Sequence, residues 1–507
     1  MSPYPFRKIL LLVLLSSPLL SQPLSPDLWP ARNHEWLLDL GIGWEIHSLF
    51  QPLPSGAYER YYGKAKQTPR FWPARDLTSY WKTVSRAREA DPGALFCQTW
   101  LGFLGQVSEA DPKGAKNDFG STYWMGQADY RNFFAEWVLR AASSPKALDH
   151  FTGRARDIRR LGMNCAELDQ ASVGFRNDWL TVAYGRGREV WGPFGAGNPV
   201  LSASGAAYDR VSASFHYKKI TGSFFTGFLE SVLDAGGALQ NRYVAGHGLQ
   251  YSNGRNLCAA AGEVTVYSGP NRRFDWAYLN PLTPHLEPEL NDRENLPYSV
   301  TNASNAVWFL SADWMLPRRV RISAEYVIDE FQFDDKDRKQ GRPDATALKL
   351  RLSKGALLKG SAFTVWTSIE RVGTYTFRHE SAYGAFVSRG LPLGTPLGSD
   401  FDAWRVGLRA ILPFPLQIEA SYGGLRLGEN NLLANLYTPY GHFMETDFPS
   451  GSVNKSRSLV LNLHYSFRSN FELEARITHK RLLNMGLHDQ MVYALRLNGC
   501  LPFIRTF

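Results

Sequence analysis

Cysteine is scarce in this chain: four residues in 507, with Cys97, Cys165, Cys258 and Cys500 far apart and no CxxC pair among them. This excludes a dense disulfide framework and a cysteine-rich zinc site, and predicts free thiols. Long apolar runs are also lacking. With a mean hydropathy of −0.28, the composition leaves no room for a bundle of membrane helices. The net charge of +9 is spread over alternating positions rather than gathered in a tract, which argues against a nucleic-acid arm. No Pro/Gly/Ser linker divides the sequence, so one large body is expected.

Catalytic signatures are missing as well. GxSxG, HExxH and P-loop patterns do not occur. Ser452-Val453-Asn454-Lys455 fits SxxK only by chance, in a polar loop, and Gly185-Arg186-Gly187 opens like a dinucleotide fingerprint without its third glycine or its helix. Asp329 with Glu330, or Glu189 with Glu263, could pair as acid and base, but structural salt bridges to arginines explain them more simply. The loop tip 334–339 reads as solvated rather than as a cation site. No enzyme, cofactor or metal is expected.

Aromatics are abundant, at 13% of residues, with 15 Trp, 23 Tyr and 30 Phe. From Leu95 onward the sequence period is two. Phe471, Leu473, Ala475 and Ile477 alternate with Glu472, Glu474, Arg476 and Thr478; Val320, Ile322, Ala324, Tyr326 and Ile328 alternate with Arg321, Ser323, Glu325 and Asp329. A charged face suits a wet barrel lumen and an apolar face suits lipid. Connection lengths alternate too. Short links at 217–223, 253–254, 316–319, 354–360, 413–415 and 468–470 separate long ones at 234–241, 269–304, 330–344, 376–400 and 429–455, with a shorter one at 483–490. Outer-membrane barrels have short periplasmic turns and long external loops, so the fold class is all-β: a transmembrane outer-membrane barrel of roughly 18 antiparallel strands over 95–507. The last strand, 491–507, runs inward and ends on Phe507.

Ahead of the barrel, 1–22 has the outline of a secretory signal peptide, with Arg7 and Lys8 before the apolar run 9–15. Residues 23–94 hold an amphipathic helix over 76–90, where Leu77, Tyr80, Trp81, Val84 and Ala87 recur at helical spacing before Asp91-Pro92-Gly93. The barrel is organised around 184–199, read as a strand from 173 to 184 running into a loop with Gly192, Gly195 and Gly197, followed by a hairpin of 211–217 and 223–233. Pro193 and Pro199 force that loop out of the sheet. Arg186, Arg188, Glu189 and Trp191 travel with it, a set suited to carbohydrate because guanidinium and carboxylate groups bond hydroxyls and an indole stacks on a sugar ring.

Several stretches together resemble the Wzi-type capsule assembly proteins. They are Tyr184-Gly185-Arg186 with Trp191-Gly192-Pro193, Leu201-Ser202, Gly246-His247, Gly262-Glu263-Val264-Thr265-Val266-Tyr267, Tyr278-Leu279-Asn280-Pro281, Ile328-Asp329-Glu330-Phe331, and 393–400. The resemblance implies an outer-membrane barrel lectin that binds capsular or other surface polysaccharide and sits, as a monomer, in outer-membrane lipid. It adds His247, Glu263 and Tyr278 as neighbours of the loop site. Two positions depart from the pattern: Gly248 where Arg is expected after His247, and Phe194 where Gly is expected after the proline. A diffusive porin with an anion-leaning lumen and, behind it, a barrel-embedded hydrolase remain as rival functions.

Overall fold

In the computed structural model the described residues are 37–51, 82, 84–86, 94–111, 118–148, 151–157, 159–285, 287–288, 291, 304–330, 345–379, 381–438, 447–467, 471–483 and 488–506. Eighteen strands alternate apolar and polar side chains and are bounded by turn residues. The first nine are β1 (Phe96–Asp111), β2 (Phe119–Tyr130), β3 (Phe133–Ala142), β4 (Cys165–Arg176), β5 (Leu180–Gly187), β6 (Tyr208–Tyr217), β7 (Ile220–Leu233), β8 (Leu239–Ser252) and β9 (Leu257–Pro270). The rest are β10 (Ser304–Leu316), β11 (Val320–Glu330), β12 (Ala345–Leu358), β13 (Ser361–Val372), β14 (Phe401–Ile411), β15 (Leu416–Leu427), β16 (Asn454–Ser466), β17 (Phe471–Leu482) and β18 (His488–Thr506). Each pairs antiparallel with the next, and β18 returns to β1 with Phe96 opposite Thr506 and Asp111 opposite Met491. The barrel is closed, so no strand edge is left unpaired. Connections alternate as the sequence predicts, with short turns such as 218–219, 317–319 and 359–360 at one end and the long loops 188–207, 271–303 and 373–400 at the other.

Outward positions carry an apolar belt that includes Trp124, Val173, Leu249, Trp308, Leu310, Ile369, Trp404, Leu408 and Tyr493, all exposed. This is the lipid-facing surface of an outer-membrane-type barrel.

The interior is occupied. Residues 37–51 enter the lumen, where the Asp39 carboxylate accepts from Arg351 at 2.7 and 2.8 Å and from Arg321 at 2.9 Å. Farther along, Leu49 N donates to Gln250 on β8 at 2.6 Å, and Phe50–Gln51 forms a two-residue ladder with Val190–Trp191 of the 188–207 loop. Loop 373–400 is drawn in by Arg242 of β8, whose guanidinium donates to the carbonyls of Tyr383, Ala385 and Val387 and pairs with Glu230. An apolar core forms inside the barrel from Leu49, Phe50, Trp191, Leu201, Phe225, Val244, Val264, Phe309, Phe386 and Phe401. A cavity of about 100 Å³ lies between this core and β3 to β7, lined by Phe50, Phe134, Glu136, Gln170, Glu189, Arg210 and His216 among others.

Two expectations change. The stretch 173–184 is not one strand: a turn at 177–179 splits it between β4 and β5, with Asn177 Oδ1 accepting from the backbone of Trp179 and Leu180. Several interior basic groups are paired: Arg321 with Asp313 and Asp39, Lys349 with Glu370, and Arg409 with Glu419. Where the lumen is filled, the alternation also inverts. Val264 and Val266 of β9 face the dry interior, and Glu263 and Thr265 face outward. The four cysteines are free, and all but Cys97 are buried. Of the expected 76–90 helix, Lys82 and 84–86 are described and helical; the rest, like 1–22 and Phe507, lies outside the described residues.

Candidate functional site

The organising loop is built as expected up to the point of exposure. Gly192 has φ 122°, and a Cβ there would overlap the Glu325 carboxylate, so the turn requires glycine. It places Trp191 inside the barrel at 2% exposure, with ring centroids 4.8 Å from Phe50, 5.2 Å from Phe225 and 5.9 Å from Phe309. The indole N–H donates to Glu189 at 3.2 Å, and Glu189 in turn accepts from Arg210 at 2.7 Å. Arg188 donates to Asp169 at 2.6 Å and to the Gly205 carbonyl at 2.5 Å. No ring face of Trp191 is open to a sugar; these three residues hold the folded-in loop against the wall. Arg186 lies apart from them. It points to the outer side of β5, donating to the Leu168 carbonyl at 3.0 Å with Asp209 at 3.8 Å.

The expected neighbours are not neighbours of this loop. His247 on β8 and Glu263 on β9 sit opposite each other on the outward face, beside exposed Leu249 and Trp308, so the barrel wall separates them from Trp191. The acid/base pairing of Glu189 with Glu263 fails for the same reason. Residues after β9 fold down over this outer face. Tyr278 stacks on outward Tyr267 with centroids 4.1 Å apart, and its hydroxyl bonds Ser304 at 2.6 Å. His285 reaches His247, Nε2 to Nδ1 at 3.2 Å, while its backbone N–H donates to Glu263 Oε2 at 2.7 Å. His247 Nε2 is 3.6 Å from the same carboxylate. Burial first, and then the neighbouring His247 ring, pull the His285 pKa down to about 3, which leaves the imidazole neutral. Among the described residues, His247, Glu263 and His285 form a group with donor atoms all within 4.8 Å of one another.

Both departures from the family pattern have local causes. A Cβ on Gly248 would lie 2.9 Å from the Phe50 ring, so residues 37–51 occupy the space an arginine needs. Phe194 lies under Lys349, whose ammonium is 5.1 Å from the ring centroid and donates to the Gly197 carbonyl at 2.7 Å.

The sequence does not reveal a second cluster, at the external mouth. Tyr383 and Tyr437, from two loops far apart in the chain, stack with centroids 5.9 Å apart and stay half-exposed beside exposed Arg389. The Tyr437 hydroxyl and the Arg389 backbone N–H both bond Glu230, at 2.6 and 3.0 Å. Arg378 joins the same two loops by donating to the Thr374 and Asn430 carbonyls, and burial lowers its pKa to about 10, so it is charged at neutral pH. Half-exposed rings with adjacent charges, fixed by such networks, have the composition of a carbohydrate platform.

No protein-family model matches the chain, and no curated protein does. Among solved structures, OccAB4 of Acinetobacter baumannii aligns at 12% identity over 81% of this chain and 98% of its own, with a TM-score of 0.45. OprD of Pseudomonas aeruginosa aligns at 11% identity over 80% and 95%, also with a TM-score of 0.45. Wzi of Escherichia coli, an outer-membrane protein involved in group 1 capsule assembly and described as a carbohydrate-binding β-barrel, aligns at 13% identity over 95% of this chain and 98% of its own, with a TM-score of 0.61. At this identity the likeness establishes the fold: the chain is an outer-membrane-type β-barrel, similar to Wzi over nearly its whole length.

Proposed function

We propose that this protein is a closed, monomeric outer-membrane barrel that binds surface polysaccharide on its external loops and helps attach or assemble a capsule-like layer. The observation that carries the proposal is the occupied lumen: an apolar core and paired charges stand where a diffusive pore needs open water, while the loops that fill it present half-exposed aromatic and charged groups outward. Tyr383, Tyr437 and Arg389 make the sugar contacts. Arg188, Glu189 and Trp191 support them from below by fixing the 188–207 loop, whose Ser202 N–H donates to the Leu393 carbonyl of the loop carrying Tyr383.

The test is polysaccharide retention by cells lacking the protein and complemented with the parent or with Tyr383→Ala/Tyr437→Ala. Losing a stacking ring at a binding hot spot costs more than about 1 kcal/mol. The double variant, at equal levels of heat-modifiable barrel, is expected to shed most of its polysaccharide into the medium. Retention equal to the parent contradicts the proposal.

A further inference from the structure

We propose that His247, Glu263 and His285 form a binding site for a divalent transition metal of the zinc class, which pins the chain after β9 to the outer wall of the barrel. The polar groups face the lipid side of a wall otherwise lined by Leu249, Trp308 and Leu310, and hydrogen bonding within the cluster leaves them incompletely satisfied. Glu263 is 97% buried, yet its Oε1 has no hydrogen-bond partner among the described residues. A buried carboxylate oxygen left unpaired is costly, and a cation removes the cost.

The donor spacing is within reach of one ion. Bonds of about 2.0–2.1 Å at tetrahedral angles place donors about 3.4 Å apart. Here His247 Nδ1 and His285 Nε2 are 3.2 Å apart, and one ligand atom from each of the three residues lies within 4.8 Å of the others, so the carboxylate closes in by about an ångström on binding. Two imidazoles with one carboxylate suit zinc, nickel or cobalt, whereas magnesium and calcium favour all-oxygen sets. His247 keeps 21% side-chain exposure, so the cluster is not sealed beneath the segment that covers it. The three ligands come from β8, β9 and the segment that follows, so occupancy ties that segment to the wall where Tyr278 already stacks on Tyr267. Sequence spacing gives no hint of this, because His285 lies in a long connection 38 positions from its partner.

The experiment uses the full-length barrel in detergent, stripped with EDTA and titrated with Zn²⁺ against a chromophoric chelator. The parent is expected to bind one Zn²⁺ per barrel. His285→Ala and Glu263→Gln are each expected to bind at least about tenfold more weakly, since removing even an outer-shell partner costs 10–100-fold. Both variants are checked for heat-modifiable mobility. His379→Ala, at the mouth and bonded to Ser381, is expected to bind like the parent. Zn²⁺ is also expected to slow tryptic cleavage at exposed Arg273 in the parent but not in Glu263→Gln. No stoichiometric binding by the parent, or equal binding by the parent and Glu263→Gln, overturns the site; binding that leaves Arg273 cleavage unchanged overturns the pinning.

Discussion

Replacing Asp39 by alanine should unseat the segment that fills the lumen. Its carboxylate accepts from Arg321 and Arg351 at 2.7 to 2.9 Å and from Ser353 at 3.2 Å, with Arg409 at 3.5 Å. Arg321 keeps Asp313 after the substitution, and Arg409 keeps Glu419, but Arg351 loses the carboxylate it grips with both nitrogens. Breaking a buried ion pair from one side costs about 3–5 kcal/mol, which raises the population of the undocked segment by a factor on the order of 10² to 10⁴. In planar bilayers the parent is expected to be nearly non-conducting and Asp39→Ala to show frequent open events, with faster proteolysis near residues 37–51. Asp39→Asn, which keeps the shape and part of the hydrogen bonding, falls between them. Identical traces and identical proteolysis of parent and Asp39→Ala refute the reasoning. Burial raises the Asp39 pKa, but the fields of Arg351, Arg321 and Arg409 override it and hold the carboxyl well below the usual range. A depressed folded-state pKa stabilises above the unfolded value and loses that stability as pH falls through the folded one, so the parent should stay closed at ~pH 4 and open only in stronger acid.

Trp191→Ala should lower barrel stability by about 3–5 kcal/mol, as loss of a buried Trp does, and weaken glycan binding of the folded fraction less than Tyr383→Ala/Tyr437→Ala does; urea midpoints and binding on heat-modifiable protein check both halves. Gly248→Arg, which introduces the residue that the Wzi-type pattern has at this position, should displace Phe50 and produce conductance like that of Asp39→Ala, read in the same bilayers. Tyr278→Ala should expose the outer face of Tyr267 and speed proteolysis after Arg273 without opening the lumen, read by tryptic digestion alongside conductance.

Most of the barrel was legible because strand period and loop length report on local constraints. Alternation in 320–328 assigns Val320, Ile322 and Tyr326 outward and Arg321 and Glu325 inward, as found, and the expected links fall within a few residues of the observed ones. Period alone fails where the solvent on the two sides is exchanged. At Glu263 the inside is an apolar core and the outside is covered by chain, so the polar residue faces out and the assumed lumen position is wrong for a physical reason. Trp191 misleads in the same manner, since an indole in a glycine-rich loop looks exposed until residues 37–51 cover it. Tyr383 with Tyr437, and His247 with His285, are joined only by folding across long connections and leave no spacing to read.

The most direct test of the central claim is equilibrium binding of acidic and neutral surface polysaccharides to the purified, heat-modifiable barrel, with the reducing ends counted before and after incubation. A closed barrel lectin predicts saturable binding without hydrolysis, weakened about tenfold or more in Tyr383→Ala/Tyr437→Ala. No saturable binding by the parent to any polysaccharide of the panel, or new reducing ends, contradicts it.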